Sequence, residues 1–68
     1  MNQNRRLLRL PEVIATTGRS RASIYKDIAE GKFPPPIRIG ERAVAWPSDV
    51  VQGWVDERIE ESRKLVAA

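Results

Sequence analysis

Cysteine and histidine are both absent from this 68-residue sequence, and their absence removes most of the common site chemistries. Without them there is no disulfide framework, no thiolate nucleophile, no zinc finger and no imidazole general base. A domain of this length also buries only about 60% of the surface that its unfolded chain exposes, which leaves little room for a substrate pocket. We therefore expect neither an enzyme nor a protein that holds a cofactor, a metal ion or a small-molecule ligand.

Long apolar runs are also missing. No stretch approaches the roughly 20 apolar residues of a membrane-spanning helix, and no apolar segment of the signal-peptide type follows the basic pair Arg5-Arg6. We expect a soluble, cytoplasmic protein without membrane contacts. We also expect one domain over residues 1–68, with flexible ends at 1–6 and 65–68.

The charge that is present is distributed unevenly along the chain. Residues 1–45 carry nine basic and four acidic side chains, a net charge of +5, whereas residues 46–68 carry three basic and five acidic ones, a net charge of −2. The basic side chains are spread over several elements, which is typical of a folded surface that binds a polyanion. Such a charge content is also ordinary for a small soluble domain, so charge alone leaves nucleic-acid binding and a plain solvated surface as equal alternatives.

Two short helices are indicated in the first half of the chain. The first is predicted over residues 11–17, with Gly18 as a left-handed C-cap. The second is predicted over residues 21–30, with Ser20 as its N-cap and Gly31 as its stop. Because only two or three residues separate them, the pair fits a helix-turn-helix.

Helical spacing assigns two faces to the second helix. At 100° per residue, Ile24 and Ile28 form a buried stripe. The residues expected on the opposite, outer face are Ala22, Ser23, Lys26 and Ala29. This outer face is small and polar, so it could lie against another surface.

A hairpin is predicted next, because residues 37–46 alternate on both sides of a glycine-containing turn. Its strands are expected at about 36–39 and 43–46. The residues expected to face the core are Ile37, Ile39, Val44 and Trp46, which sends Arg38 to the other side.

A third helix is predicted over about residues 48–64, with Ser48 as a possible cap. Its apolar face is expected to contain Val51, Trp54, Val55 and Ile59, and its solvated acidic face Asp56, Glu57, Glu60 and Glu61. The complete order predicts a mainly α fold with a small β-hairpin, a winged helix-turn-helix. The second helix has dimensions that suit the roughly 12 Å wide major groove of DNA.

In this order and spacing the residues resemble the AlpA family of phage and prophage transcriptional regulators, small members of the MerR-like winged-helix group that also includes many excisionases. The motifs that carry the resemblance are Arg9-Leu10-Pro11-Glu12-Val13, Thr17-Gly18-Arg19-Ser20-Arg21, Ser23-Ile24-Tyr25, Glu30-Gly31-Lys32-Phe33-Pro34, Pro36-Ile37-Arg38-Ile39-Gly40, Arg42-Ala43-Val44-Ala45-Trp46, Asp49-Val50, Trp54 and Arg58-Ile59. The resemblance implies a bacterial, nucleoid-associated regulator that binds double-stranded DNA and switches on prophage excision functions. It implies a second helix that recognises DNA and a hairpin that serves as the wing. Arg19 departs from the apolar residue usual in the family.

The candidate DNA-binding residues are Arg19, Ser20, Arg21, Ser23, Tyr25, Lys26, Arg38 and Arg42. Lys32 is a weaker candidate. For Ser20 the simpler interpretation is a helix cap, and the Tyr25 ring is expected in the core with its hydroxyl near a phosphate. Trp46 and Trp54 are expected in the core instead of stacking on bases.

Three alternatives remain at this point. The protein is a transcriptional regulator that controls excision or integrase-related genes, an excisionase that bends attachment-site DNA, or a protein-interaction module such as an antitoxin. One small module typically buries only about 600–1,000 Å² on DNA. We therefore expect a homodimer or cooperative binding of several copies.

Overall fold

The computed structural model describes residues 5–67, which form three helices and three short strands. The elements are β1 (Leu7–Leu8), α1 (Leu10–Thr17), α2 (Arg21–Ala29), β2 (Ile37–Arg38), β3 (Val44–Pro47) and α3 (Ser48–Ala67). The predicted fold, a mainly helical winged helix-turn-helix, is confirmed. The strand β1 is an addition that the sequence analysis does not predict.

The turn between α1 and α2 has the predicted chemistry. Gly18 adopts a left-handed conformation with φ of 71°, and its amide donates to the Ile14 carbonyl at 2.8 Å. Residues with a side chain disfavour this conformation, so glycine is suited to the position. Two residues later Ser20 caps α2, because its Oγ accepts a hydrogen bond from the Ser23 amide at 3.1 Å.

The strands form an antiparallel sheet in the order β1-β3-β2. The predicted orientation of β2 is wrong. Ile37 pairs with Ala45, so Ile37 and Ile39 lie on the opposite side of the sheet from Trp46 and are 44% and 43% exposed. The Ile39 amide donates to the Ala43 carbonyl across residues 40–42. Because the turn has an odd number of residues, the two strands pair one residue away from the predicted register. A shift of one residue exchanges the two faces of a strand.

The hydrophobic core joins the helices to one face of the sheet. Its buried side chains are Leu8, Val13, Ile24, Phe33, Trp46 and Val51. Trp46 is fully buried, and its Nε1 donates to the Pro34 carbonyl at 3.0 Å. Trp54 packs against this cluster, and its Nε1 donates to the Lys32 carbonyl at 3.0 Å. The prediction that both tryptophans belong to the core is therefore confirmed.

The helix α3 is longer than predicted and projects beyond the core. Its acidic face is exposed as expected, but Ile59 is 44% exposed, so its predicted burial is wrong. Val51 and Trp54 are the residues of α3 that belong to the core or pack against it, and residues 59–66, which follow them, are all exposed. Within residues 5–67, no helix combines the length and apolar content that crossing a membrane would require.

The chain that precedes β1 is attached to the start of α3. The Arg6 amide donates to Ser48 Oγ at 2.7 Å, and the Arg6 carbonyl accepts from the Ser48 amide at 2.7 Å. Of the ends predicted to be flexible, 1–6 and 65–68, residues 1–4 and Ala68 lie outside the described residues, whereas Arg5 and Arg6 contact the first turn of α3 and residues 65–67 continue α3. The flexibility of the two ends stays a prediction.

Candidate nucleic-acid interface

Ion pairs divide the basic side chains of residues 5–67 into two groups. The first group has a carboxylate oxygen at 2.5 to 3.8 Å and consists of Arg5, Arg6, Arg19, Lys32, Arg58 and Arg63. The second group has no such partner among the described residues and consists of Arg9, Arg21, Lys26, Arg38, Arg42 and Lys64. Four of the eight predicted site residues belong to the second group, so their positive charge is not compensated locally.

The outer face of α2 is exposed, as the helical spacing predicts. Ile24 is fully buried and Ile28 is half-buried, which turns the opposite face of the helix to solvent. The exposed residues of α2 are Arg21, Ala22, Tyr25, Lys26 and Ala29. Since the two alanines leave room between the basic side chains, this face can approach a surface closely.

Tyr25 lies on this exposed face, so the prediction that its ring belongs to the core is wrong. The residue is 40% exposed, and the Arg21 guanidinium lies 5.9 Å from the centre of its ring. Tyr25 follows the buried Ile24 directly, and one helical residue rotates the side chain by 100°, which carries the ring out of the core. The Arg21 contact is a cation–π interaction that positions both side chains.

The N-cap Ser20 and Ser23 in the first turn of α2 are hydrogen-bonded to each other. Ser20 Oγ accepts from the Ser23 amide and also donates to Ser23 Oγ at 3.0 Å. The cap interpretation of Ser20 is confirmed. The other amides in the first turn of a helix point out of its N-terminal end. Together with the positive end of the helix dipole, they can bind an anion such as a phosphate.

Arg19 has a structural contact that the sequence analysis missed. Its Nη2 lies 2.5 Å from Asp27 Oδ2, and its amide donates to Thr17 Oγ1 at 3.2 Å. The ion pair connects the turn to the second half of α2. A phosphate contact by Arg19 stays a prediction, and it would compete with Asp27 for the guanidinium.

The wing carries two exposed arginines. Arg38 lies in β2, and its Nη2 donates to the Glu41 carbonyl at 3.2 Å, which directs the side chain along the turn. Arg42 is exposed at the tip. Among the described residues, no hydrogen bond or ion pair joins these two arginines to the predicted residues of α2. The structure therefore arranges the candidates as two groups, one on α2 and one on the wing.

Arg9 is a further candidate that sequence reasoning missed. It is exposed, and no carboxylate of residues 5–67 pairs with its side chain. Its backbone begins α1, because the Arg9 carbonyl accepts from the amides of Glu12 and Val13. Arg9 lies outside the helices predicted from the sequence. The one sequence signal that includes it is the Arg9–Val13 motif.

Comparison with known proteins identifies the family. The family model described as "Prophage CP4-57 regulatory protein (AlpA)" matches residues 6–59, which include α1, α2 and the whole sheet. The chain belongs to the AlpA family. It is 34% identical over 59 residues to the DNA-binding transcriptional activator AlpA of Escherichia coli (strain K12), an alignment that covers 78% of this chain and 84% of that protein.

A second relative comes from a phage. The chain is 44% identical over 54 residues to the uncharacterized protein ORF88 of Enterobacteria phage P4. This alignment covers 79% of the chain but 61% of the phage protein, so the chain spans less than two thirds of that relative's length. No solved structure matches the chain.

Proposed function

We propose that this AlpA-family protein is a sequence-specific double-stranded DNA-binding transcriptional regulator of the phage type, which controls excision or integrase-related genes. The observation that supports it best is the distribution of unpaired positive charge. Arg21 and Lys26 on α2, and Arg38 and Arg42 on the wing, have no carboxylate partner within residues 5–67. The name of the Escherichia coli relative, a DNA-binding transcriptional activator, agrees with this proposal.

The unpaired cations matter because a paired cation is a poor ligand for phosphate. A guanidinium that already holds a carboxylate must give up that contact before it can bind DNA. An exposed cation without a partner releases condensed counterions from DNA at once, and this release supplies most of the non-specific affinity. The paired residues Arg5, Arg6 and Arg19 therefore contribute less to DNA binding than Arg21 and Lys26.

Shape supports α2 as the recognition element. The helix has nine residues and is about 13 Å long, and its exposed face carries two alanines beside Arg21 and Lys26. A guanidinium can pair with two acceptors of guanine, whereas an ammonium group discriminates less between bases. In the proposed complex Arg21 recognises a base, Lys26 binds a phosphate, and the wing arginines hold the neighbouring backbone or minor groove.

The test compares two lysines that differ only in position. Lys26 and Lys64 are both exposed, helical and without a carboxylate partner among the described residues. We expect Lys26→Ala to weaken binding to duplex DNA about eightfold in about 0.1 M salt, which corresponds to one lost phosphate contact. Lys64→Ala removes the same charge from α3 and should leave the affinity nearly unchanged. Fluorescence anisotropy with a labelled duplex measures both.

The salt dependence of the same assay separates DNA binding from protein interaction. The four unpaired cations of α2 and the wing each displace about one counterion when they meet DNA, which predicts a slope of about −4 for log affinity against log salt, and Lys26→Ala should reduce its magnitude by about 1. A flat salt dependence would favour the protein-interaction module. Equal effects of Lys26→Ala and Lys64→Ala would contradict the assignment of α2 as the recognition helix.

A further inference from the structure

The tip of the wing carries a carboxylate between two arginines. Residues 40–42 form the turn of the hairpin, and Glu41 is the central residue of that turn and is exposed. Arg38 and Arg42 lie on either side of it in the sequence, and neither has an ion-pair partner within residues 5–67. A negative side chain at the tip of an element that is proposed to meet phosphates weakens binding, unless the carboxylate has a partner of its own on the DNA.

The Glu41 side chain has no contact inside the chain. Each of the other five glutamates forms an ion pair, namely Glu12, Glu30, Glu57, Glu60 and Glu61. The Glu41 carboxylate forms neither an ion pair nor a hydrogen bond with residues 5–67. Arg38 Nη2 instead donates to the Glu41 main-chain carbonyl at 3.2 Å. This contact orders the turn and leaves the carboxylate accessible to a hydrogen-bond donor outside the chain.

The hydrogen-bonding groups of the minor groove determine which base pair suits a carboxylate. In the proposed complex the wing arginines hold the DNA backbone or the minor groove, which brings the tip of the wing close to the base edges there. An ionised carboxylate only accepts hydrogen bonds. In the minor groove the N2 amino group of guanine is the one donor that a base presents, whereas A·T pairs present acceptors alone. The Glu41 carboxylate is therefore complementary to a G·C pair and is repelled by an A·T pair.

We propose that Glu41 makes the wing select G·C base pairs, with its carboxylate accepting a hydrogen bond from the N2 amino group of guanine in the minor groove. This role rests on the proposed function, since it requires the wing to lie on duplex DNA. Arg38 and Arg42 bind phosphates beside the contact and offset the repulsion between those phosphates and the carboxylate. At an A·T pair the carboxylate faces acceptors without a donor, so Glu41 favours one base pair and also excludes the other.

Inosine provides the test, because it pairs with cytosine and differs from guanosine only in lacking the N2 amino group. The major-groove acceptors are the same in both, so recognition by α2 is unchanged. The probes are two labelled duplexes of about 20 base pairs, or two helical turns, one of alternating guanine and cytosine and one of alternating inosine and cytosine. Fluorescence anisotropy of the full chain in about 0.1 M salt measures the two dissociation constants. We expect the wild-type protein to bind the guanine duplex about fivefold more tightly than the inosine duplex.

Glu41→Ala should abolish this preference, so that the ratio of the two dissociation constants falls from about five to about one. The variant should bind the guanine duplex about twofold more weakly than the wild-type protein, because the hydrogen bond is lost. It should bind the inosine duplex about twofold more tightly, because a negative charge is removed from a groove without donors. A variant that only folded less well would bind both duplexes more weakly. Glu60→Ala is the matched control, since it removes an exposed carboxylate from α3 and should preserve the fivefold ratio.

Three results would overturn the role of Glu41. The first is a wild-type protein that binds the guanine and inosine duplexes equally well, and the second is a Glu41→Ala variant that keeps the wild-type ratio. The third is a Glu60→Ala variant that loses the ratio as Glu41→Ala does. In all three the protein still binds duplex DNA, so the proposed function stands. A wild-type protein that binds neither duplex would overturn the proposed function together with the role of Glu41.

Discussion

The contact between Arg5 and Asp49 shows how one side chain changes the titration of another. Arg5 Nη2 lies 2.7 Å from Asp49 Oδ2 and connects the chain before β1 to the first turn of α3. The hydrogen bond from Arg5 lowers the pKa of Asp49 from its usual 3.8, and the charge of Arg5 and the amides of Asp49 and Val50 act in the same direction. Desolvation opposes them and is outweighed. The carboxyl therefore stays ionised in more acidic solution than an ordinary aspartate.

Replacing Arg5 by alanine should raise the pKa of Asp49 towards 3.8. A carboxyl whose pKa is lowered by folding stabilises the protein above its unfolded pKa, and this contribution disappears as the pH falls through the folded pKa. The wild-type protein should therefore lose more stability than Arg5→Ala when the pH falls below about 4. NMR titration of the carboxyl carbon and thermal unfolding at two pH values measure the effect. Arg6→Ala removes a neighbouring charge that pairs with Glu12, so it should leave the Asp49 titration unchanged.

At the scale of the elements, local sequence signals determined the helices and long-range pairing determined the strands. The structure begins α2 at Arg21 and ends it at Ala29, close to the predicted residues 21–30, because Ser20 and Gly31 act within one turn of the helix ends. The strand β1 has two residues and exists only because it pairs with β3. No periodicity can reveal so short a strand, which is why the sequence analysis missed it.

The N-cap of α2 gives a prediction at this scale. Ser20→Ala should lower the free energy of unfolding by about 1 kcal/mol, because the Ser23 amide loses its acceptor at the end of the helix. Chemical denaturation measures the loss. Ser20→Thr preserves a hydroxyl acceptor and should recover most of the stability. If Ser20→Ala were as stable as the wild-type protein, water would have replaced the serine as acceptor and the cap would be dispensable.

The molecule as a whole carries its positive and negative charges in different parts of the chain. The first 45 residues carry a net charge of +5 and contain α2 and the wing, whereas the rest carries −2 and forms mostly α3. Ion pairs such as Arg5–Asp49 and Arg19–Asp27 connect parts of the fold and neutralise some of these charges. Four of the cations that stay unpaired within residues 5–67, namely Arg21, Lys26, Arg38 and Arg42, are the ones proposed to bind DNA. Because one module covers little DNA, the whole-molecule proposal requires more than one copy on the target.

DNase footprinting tests this requirement and the proposed target. We expect protection of a promoter that controls excision or integrase-related genes, over a segment longer than one helical turn of about 10 base pairs. Protection of an attachment site with none at a promoter would favour the excisionase alternative. A footprint that stays within one turn at saturating protein would contradict binding by several copies.

The sequence by itself determined three helices, the tight turn between the first two and the small exposed face of α2. These features depend on glycine and serine at helix ends and on apolar spacing, which act over a few residues. Only the tertiary structure decided which way Ile37 and Ile39 face, where β1 pairs, and which cations are neutralised. Those outcomes depend on contacts between distant residues, such as Arg5 with Asp49 or Leu8 with Trp46. A one-residue change in register or a single ion pair is sufficient to alter them, and neither leaves a local pattern in the chain.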